Sequence, residues 1–316
     1  MAVTIAEYLG QRVDIDTPAI LPEHANNAQC PFVGKACSKL IRGNKPICSV
    51  RKGGDELWIV CPDRLCSTTR QTRVDGDQVP ITLSGHQQDI LWSIAKTIYR
   101  GTFTKNDIAV SREVPIPLED GSSTYHADYV MRNLSIGAKI DEILLEIQGG
   151  GETSNTGSIT RKVTQWEADE NRSNEFLRET VSAGTIETNA WRRQQEQFLV
   201  KGNVVSQTGG KIVFAVGSLL YNYLEQRFVR ANLRDLREHN WTLCILAFAE
   251  DKSNEKIPGP IPLKIDEERL LFTNYSTFVR FLTDQGGPNP QMFDGSFETL
   301  EGNTVDIQGI DININP

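Results

Sequence analysis

The order of hydrophobic periodicities along the chain predicts an α/β fold. A capped amphipathic helix follows Ser84, strand-like runs fill residues 107–148, and helical and strand-like segments alternate again as far as residue 249. With 316 residues, 39% hydrophobic and 23% charged, the composition is that of an ordinary globular protein able to bury a core without crosslinks. The pattern divides into an N-terminal region, 1–83, with a cysteine-rich module at about 30–73, a core over 84–285, and an acidic, loop-like tail over 286–316.

In chain order, Leu57–Val60 reads as a strand that runs into Cys61. Ser84-Gly-His-Gln87 is a capping box, and Ile90, Leu91, Ile94, Ala95 and Ile98 follow at helical spacing, so a helix is expected over 85–100, ended by Gly101. The β-branched run 107–118 holds Pro115 and Pro117 late in its length, which cannot donate to a ladder, so it reads as an edge strand or its exit. Residues 125–134 and 139–148 are strand-like, separated by Ser-Ile-Gly-Ala. Gly149, Gly150 and Gly151 could let backbone approach a phosphate, and a polar linker follows to Thr160. Helices are expected over 166–181 and 189–199. Residues 211–224 are apolar at both helix and strand periods, and the pattern does not choose. Residues 241–249 read as a buried strand with Cys244 as a small apolar member. No apolar run reaches the roughly 20 residues of a membrane span and no secretory signal is visible, so a soluble protein of the cytoplasm is expected.

The formal charge of −8 argues against a general polyanion binder, but charge is unevenly spread. From Cys30 to Arg73 nine bases face three acids, whereas Phe281 to Pro316 holds six acids and no base. A local basic surface on an acidic body is compatible with nucleic acid at one face.

Five of the six cysteines, Cys30, Cys37, Cys48, Cys61 and Cys66, fall within 37 residues. In a reducing compartment the physical reason to collect thiols in a loop-rich segment is a soft metal, and four thiolates suit zinc or iron. The spacing Cys-x6-Cys-x10-Cys-x12-Cys-x4-Cys leaves one thiol over. Cys66 is set aside, because Cys30, Cys37, Cys48 and Cys61 each adjoin a turn-like residue or strand end.

The stretch YHADYVMRNLSIGAKIDEILLEIQ, residues 125–148, carries the most chemistry. A symmetric hairpin centred on Gly137 sets Asp128 opposite Glu146, with Gln148 on the face of Glu146. Like charges across a sheet destabilise it, and burial raises the cost further. A magnesium ion, which prefers hard carboxylate oxygens, resolves both problems. The plainer alternative is a solvent-facing strand.

Asp128, followed after 17 residues by Glu146-Ile147-Gln148, resembles the PD-(D/E)XK nuclease signature with Gln in the Lys position. Combined with Cys30-Pro-Phe, Cys37, Cys48-Ser-Val, Val60-Cys61-Pro-x-Arg64 and Glu113, it is similar to the NotI family of type II restriction endonucleases across residues 30–150. The resemblance implies an α+β mixed sheet with a PD-(D/E)XK core behind a four-cysteine module. It implies a homodimer that hydrolyses phosphodiester bonds of double-stranded DNA at a GC-rich palindrome, leaving 5′-phosphate ends, in a bacterial or archaeal host with a cognate DNA methyltransferase. Asp128 and Glu146 would hold catalytic Mg2+, Glu113 would approach from the preceding strand, and Gln148 would orient the attacking water. Cys30, Cys37, Cys48 and Cys61 would hold a structural iron, with zinc equally suited to the donors. Arg51, Lys52, Arg70, Arg73, Arg161, Lys162, Gln165, Arg192 and Arg193 are candidates for reading or gripping DNA. The alternatives are a repair or structure-specific nuclease on the same core, and a metal-stabilised DNA-binding protein without catalysis.

Overall fold

The computed structural model describes residues 2–16, 28–67, 73–74, 77–78, 82–117, 124–135, 142–228, 233–283 and 294–308. The turn at Gly137 and the side chains of Arg70 and Arg73 lie outside them. The chain forms two compact units, Met1–Tyr275 and Ser276–Pro316. Among the described residues no helix is long and apolar enough to cross a membrane.

The first unit opens with a four-stranded antiparallel sheet in the order β2-β1-β3-β4, from β1 (Val3–Tyr8), β2 (Gln11–Arg12), β3 (Ile47–Lys52) and β4 (Glu56–Ile59). The short helices α1 (Ser38–Ile41) and α2 (Pro62–Leu65) each start directly after a cysteine, Cys37 and Cys61. A buried ion pair ties these parts together. Glu7 accepts from Arg64 Nε at 2.7 Å, Ser49 Oγ at 2.5 Å and the Ile261 amide at 2.8 Å, while Arg64 Nη2 donates to the Ile261 carbonyl. Both ions are 1% exposed or less, and such a pair is tolerable only because its remaining hydrogen-bonding capacity is used.

A two-residue ladder, β5 (Arg73–Val74) with β6 (Asp77–Gln78), precedes α3 (Gly85–Ile98). The capping box is formed as the sequence predicts. Ser84 Oγ accepts from the Gln87 amide at 3.1 Å and Gln87 Oε1 from the Ser84 amide at 3.0 Å. Ile90, Leu91, Ile94, Ala95 and Ile98 form its buried stripe.

The principal sheet has six strands in the order β14-β13-β12-β9-β8-β7. They are β7 (Ile108–Pro117), β8 (Thr124–Asn133), β9 (Ile143–Gln148), β12 (Lys211–Gly217), β13 (Leu243–Glu250) and β14 (Leu263–Thr273), with the short pair β10 (Thr153–Ser154) and β11 (Gly184–Thr185) standing apart. β9, β12 and β13 are parallel and the outer pairs antiparallel, so the sheet is mixed. The central strands read as unbroken apolar runs, as strands covered on both faces do. β7, with its two prolines, lies at the edge as expected.

Between β9 and β12 come α4 (Thr156–Ala168), α5 (Asn174–Arg178) and α6 (Glu187–Thr208), and between β12 and β13 comes α7 (Ser218–Phe228). Here the structure departs from the sequence reading. The polar linker expected to run to Thr160 holds β10 and turns helical at Thr156, because Ile159, Val163 and Trp166 form a buried stripe that polar neighbours hide. The helix expected over 166–181 breaks at Asp169 and Arg172, whose φ is +43°, and α5 is a single further turn. The ambiguous stretch 211–224 is both things in turn: a strand to Gly217 and then a helix. α3 covers one face of the sheet together with Tyr129, Met131, Ile143, Leu145, Val213 and Ala215. On the other face Phe198 of α6 stacks on Phe214 of β12, with ring centroids 3.3 Å apart.

α8 (Tyr275–Thr283) begins at the end of the first unit. In the second unit the segment expected to be loop-like carries a hairpin, β15 (Gly295–Glu298) with β16 (Thr304–Ile307). Phe297 faces Val305 across it, and Gly302 at φ +86° makes the turn.

His86 Nε2 lies 3.0 Å from the Arg64 carbonyl, and its ring lies 5.0 Å from that of Phe32. Burial, and then the Arg64 charge, lower its pKa to about 4. The unfolded chain takes up this proton near pH 6.5 and the native protein only near 4, so the contribution is complete above the upper value and is lost as pH falls to the lower one. Urea unfolding from pH 7 to 4.5 should show His86→Gln losing less stability than the unaltered chain, by on the order of 1–3 kcal/mol.

Candidate active site

β8 and β9 pair with Tyr129 opposite Leu145, Val130 opposite Leu144 and Met131 opposite Ile143. Carried one residue further, this register sets Asp128 opposite Glu146, as a hairpin centred on Gly137 requires. The two-residue period then sorts the side chains. Tyr129, Met131, Ile143 and Leu145 face the α3 core, and Asp128, Glu146 and Gln148 face the side of α6. Glu113 belongs to β7 between Arg112, opposite Tyr129, and Val114, opposite Ala127, so it flanks Asp128. Its φ of +47° is a left-handed conformation within a strand, and it adds negative potential at Asp128.

The carboxylates open into a cleft of about 780 Å³ whose walls include His126, Gly149 to Glu152, Arg193, Gln194, Gln197 and Lys201. Glu146 is buried and Asp128 half-buried. Asp128 Oδ2 accepts from the Ile147 amide at 2.8 Å. Burial raises the pKa of Asp128, and Glu113 adds to the rise, while the Ile147 amide and Lys201 oppose it. Glu146 is pushed up to about 8, chiefly by burial and then by the Asp128 charge, with Lys201 pulling it back.

Lys201 is a residue of this site that the sequence reading does not single out. Its Nζ lies 2.7 Å from both Oε1 and Oε2 of Glu146, and the side chains are only 3% and 4% exposed. A signal for it exists in the sequence. Trp191, Phe198 and Val205 form the buried stripe of α6, and Lys201 falls on that stripe, three residues after Phe198 and four before Val205. A cation there must have a buried partner.

Gln148 is held at both ends of its amide. Its Nε2 donates to the Gly150 carbonyl at 2.9 Å and its Oε1 accepts from Gln194 Nε2 at 2.8 Å. The glycines after it serve packing. A Cβ on Gly149 would come within 2.7 Å of Ile59, and one on Gly150 within 2.9 Å of Trp58, so they admit β4 against the end of β9. The Gly151 amide donates to the Ile59 carbonyl at 2.9 Å, and Ile59, Val60 and Pro62 complete that side of the cleft.

Cys30, Cys37, Cys48 and Cys61 share one buried cluster with Phe32 and Leu40. Cys66 lies apart in the main core, its Sγ 3.5 Å from Tyr129 Oη. Burial pushes Cys30 up to about 11 and raises Cys48 and Cys61. Backbone amides act in the opposite sense: Phe32 and Val33 toward Cys30, Gly10 toward Cys48 at 3.3 Å, and Asp63 toward Cys61. Amides aimed at sulfur stabilise thiolate, the form that binds metal. Among the described residues no three His, Cys, Asp or Glu side chains stand ready as a metal site. What the chain offers is two donor sets: four soft thiols in one buried cluster and two hard carboxylates on one sheet face.

Of the candidate DNA contacts, several are committed elsewhere. Arg51 pairs with Glu250 at 2.6 Å and with Asp14, Lys52 pairs with Glu187 at 2.7 Å, and Lys162 pairs with Glu179. Arg161, Gln165 and Arg192 are exposed, and Arg193, at the cleft, pairs with Glu152 at 2.9 Å. Comparison with protein-family models and with curated proteins finds no match.

Two carboxylates crowded on one face, both partly withdrawn from water, destabilise the fold that holds them. Asp128→Asn keeps the acceptor for the Ile147 amide and removes the repulsion. The unliganded variant should be more stable by on the order of 1 kcal/mol, a rise in melting temperature of about 2–4 °C, measurable by calorimetry.

Proposed function

We infer that this protein is a magnesium-dependent endonuclease cutting double-stranded DNA at a specific site, with a PD-(D/E)XK core and an accessory metal module. One observation carries the reading: Asp128 and Glu146, from neighbouring strands of a mixed sheet, face the same cleft, with Glu113 flanking them and Gln148 two residues on. The element order supports it: α3, the antiparallel run β7-β8-β9, a helical crossover, then β12 parallel to β9.

The residues fit the ion. Magnesium is commonly bound by one or two carboxylates plus substrate phosphates and water, which is the donor set that Asp128, Glu146 and a phosphodiester would provide. When bound there it would acidify water and neutralise charge on the phosphoryl oxygens. Asp128 and Glu146 would anchor the reacting phosphate through that charge. Gln148 can neither take up a proton as a neutral Lys could nor add positive charge, so its part is to orient. The hold of Gln194 and the Gly150 carbonyl on its amide suits that part.

The cysteine cluster would hold one iron or zinc through Cys30, Cys37, Cys48 and Cys61, closing a segment of short helices and turns. Since Cys61 follows the Ile59–Val60 wall of the cleft, an ion there would stiffen the ground on which β9 ends. A twofold-symmetric dimer would present one site to each strand of a palindrome, and a cognate methyltransferase would protect the host's own copies.

Purified protein with Mg2+ should convert a plasmid of known sequence into discrete fragments with 5′-phosphate ends, and chelation should stop it. Asp128→Ala and Glu146→Ala should each lower cleavage by at least ~10²-fold, the scale of losing one electrostatic contributor, while still binding DNA. A smear, or cutting confined to branched DNA, would favour the repair-type alternative. Cleavage unaffected in both variants would end the nuclease reading. Elemental analysis should find iron or zinc in the unaltered chain, and Cys37→Ala should lose it along with folded yield.

A further inference from the structure

The motif on β9 lacks a cation, and α6 brings one. Lys201 Nζ bridges both oxygens of Glu146 at 2.7 Å. Seven residues earlier on the same helix, Gln194 Nε2 donates to Gln148 Oε1 at 2.8 Å. Two helical turns rise about 10.5 Å and two strand residues span roughly 6.6 Å, so one helix running against β9 reaches both motif residues with side chains of ordinary length. The seating of α6 is tight beside Lys201. A Cβ on Gly202 would lie 2.1 Å from the Tyr275 ring, and Tyr275 Oη donates to the Leu199 carbonyl at 2.6 Å.

A buried ion pair of this kind is a poor source of stability, because apolar residues of similar volume commonly do as well or better. Ordering a lysine side chain also costs rotamer freedom. Its placement is explained by what it does to Glu146. Two short contacts fix the carboxylate plane, and each oxygen keeps lone-pair capacity toward the cleft.

We propose that Lys201 is a positioning residue of the nuclease site, supplying from α6 the positive charge that Gln148 cannot supply from β9. This rests on the nuclease reading above. It follows that the cation can be moved: a lysine at 148 replaces a lysine at 201, since positions 146 and 148 share a strand face.

The test compares the unaltered chain with Lys201→Met, Gln148→Lys and the double variant Gln148→Lys/Lys201→Met. The readouts are thermal melting in metal-free buffer and steady-state cleavage of plasmid DNA with Mg2+. Lys201→Met should lower kcat by ~10²-fold, the scale of one lost electrostatic contributor, with KM for DNA changed less than about threefold, and it should melt earlier. The double variant should recover at least about tenfold of the lost kcat and most of the melting temperature, whereas Gln148→Lys alone should not exceed the unaltered chain. If Lys201→Met is too unstable to assay, the double variant decides: folded and active supports the proposal, unfolded or inactive overturns it. A Lys201→Met enzyme within threefold of the unaltered kcat overturns the role of Lys201 and leaves the nuclease reading standing. An unaltered chain that cuts no DNA removes that reading, and this proposal with it.

Discussion

Two carboxylates on one face of a β-sheet repel each other, and burial magnifies the repulsion; the architecture around Asp128 and Glu146 is what makes that arrangement tolerable. Three devices share the task. The Ile147 amide gives Asp128 a donor from the backbone of the neighbouring strand. Lys201 gives Glu146 a cation on both oxygens. The remaining side of the pair is left to a cleft, where solvent or a ligand can enter. Each device depends on a different level of structure: register for the first, helix placement for the second, and the seating of the N-terminal sheet for the third.

That seating is itself a problem of buried charge. Glu7 and Arg64 are enclosed, and they are satisfied only because β1, β3, α2 and the segment at Ile261 converge on them. Arg64 lies three residues beyond Cys61, so the ion pair that anchors the small sheet also anchors one wall of the cysteine cluster. From there the chain reaches the cleft through Ile59 and Val60, with Ile59 against Gly149 and Trp58 against Gly150. Cysteine cluster, ion pair and carboxylate site thus form one mechanical path, in which the glycines act as contact surfaces.

Much of this was legible beforehand, for identifiable reasons. The capping box at Ser84 is a local motif, complete within four residues, and it formed as read. The edge position of β7 followed from prolines that cannot donate. The pattern misleads where a polar surface masks a narrow apolar stripe, as at Ile159, Val163 and Trp166, and it leaves the choice open where an apolar strand passes directly into an apolar helix, as at Gly217 and Ser218. The pairing of β1 with β3 has no local signature, because it joins segments about 40 residues apart.

The sequence by itself determined which acids confront each other. Side chains alternate every two residues, so a hairpin centre is enough to place Asp128 against Glu146 and Gln148 on their face. It also determined which thiols are close in chain position. It could not determine what offsets the charge, because Lys201 lies 55 residues from Glu146 on a helix whose rotation and distance are set by Phe198 on Phe214 and Gly202 on Tyr275. Those are packing contacts between separate elements. Only the assembled tertiary structure decides them, since a helix's periodicity tells which face is apolar but not which strand that face will meet.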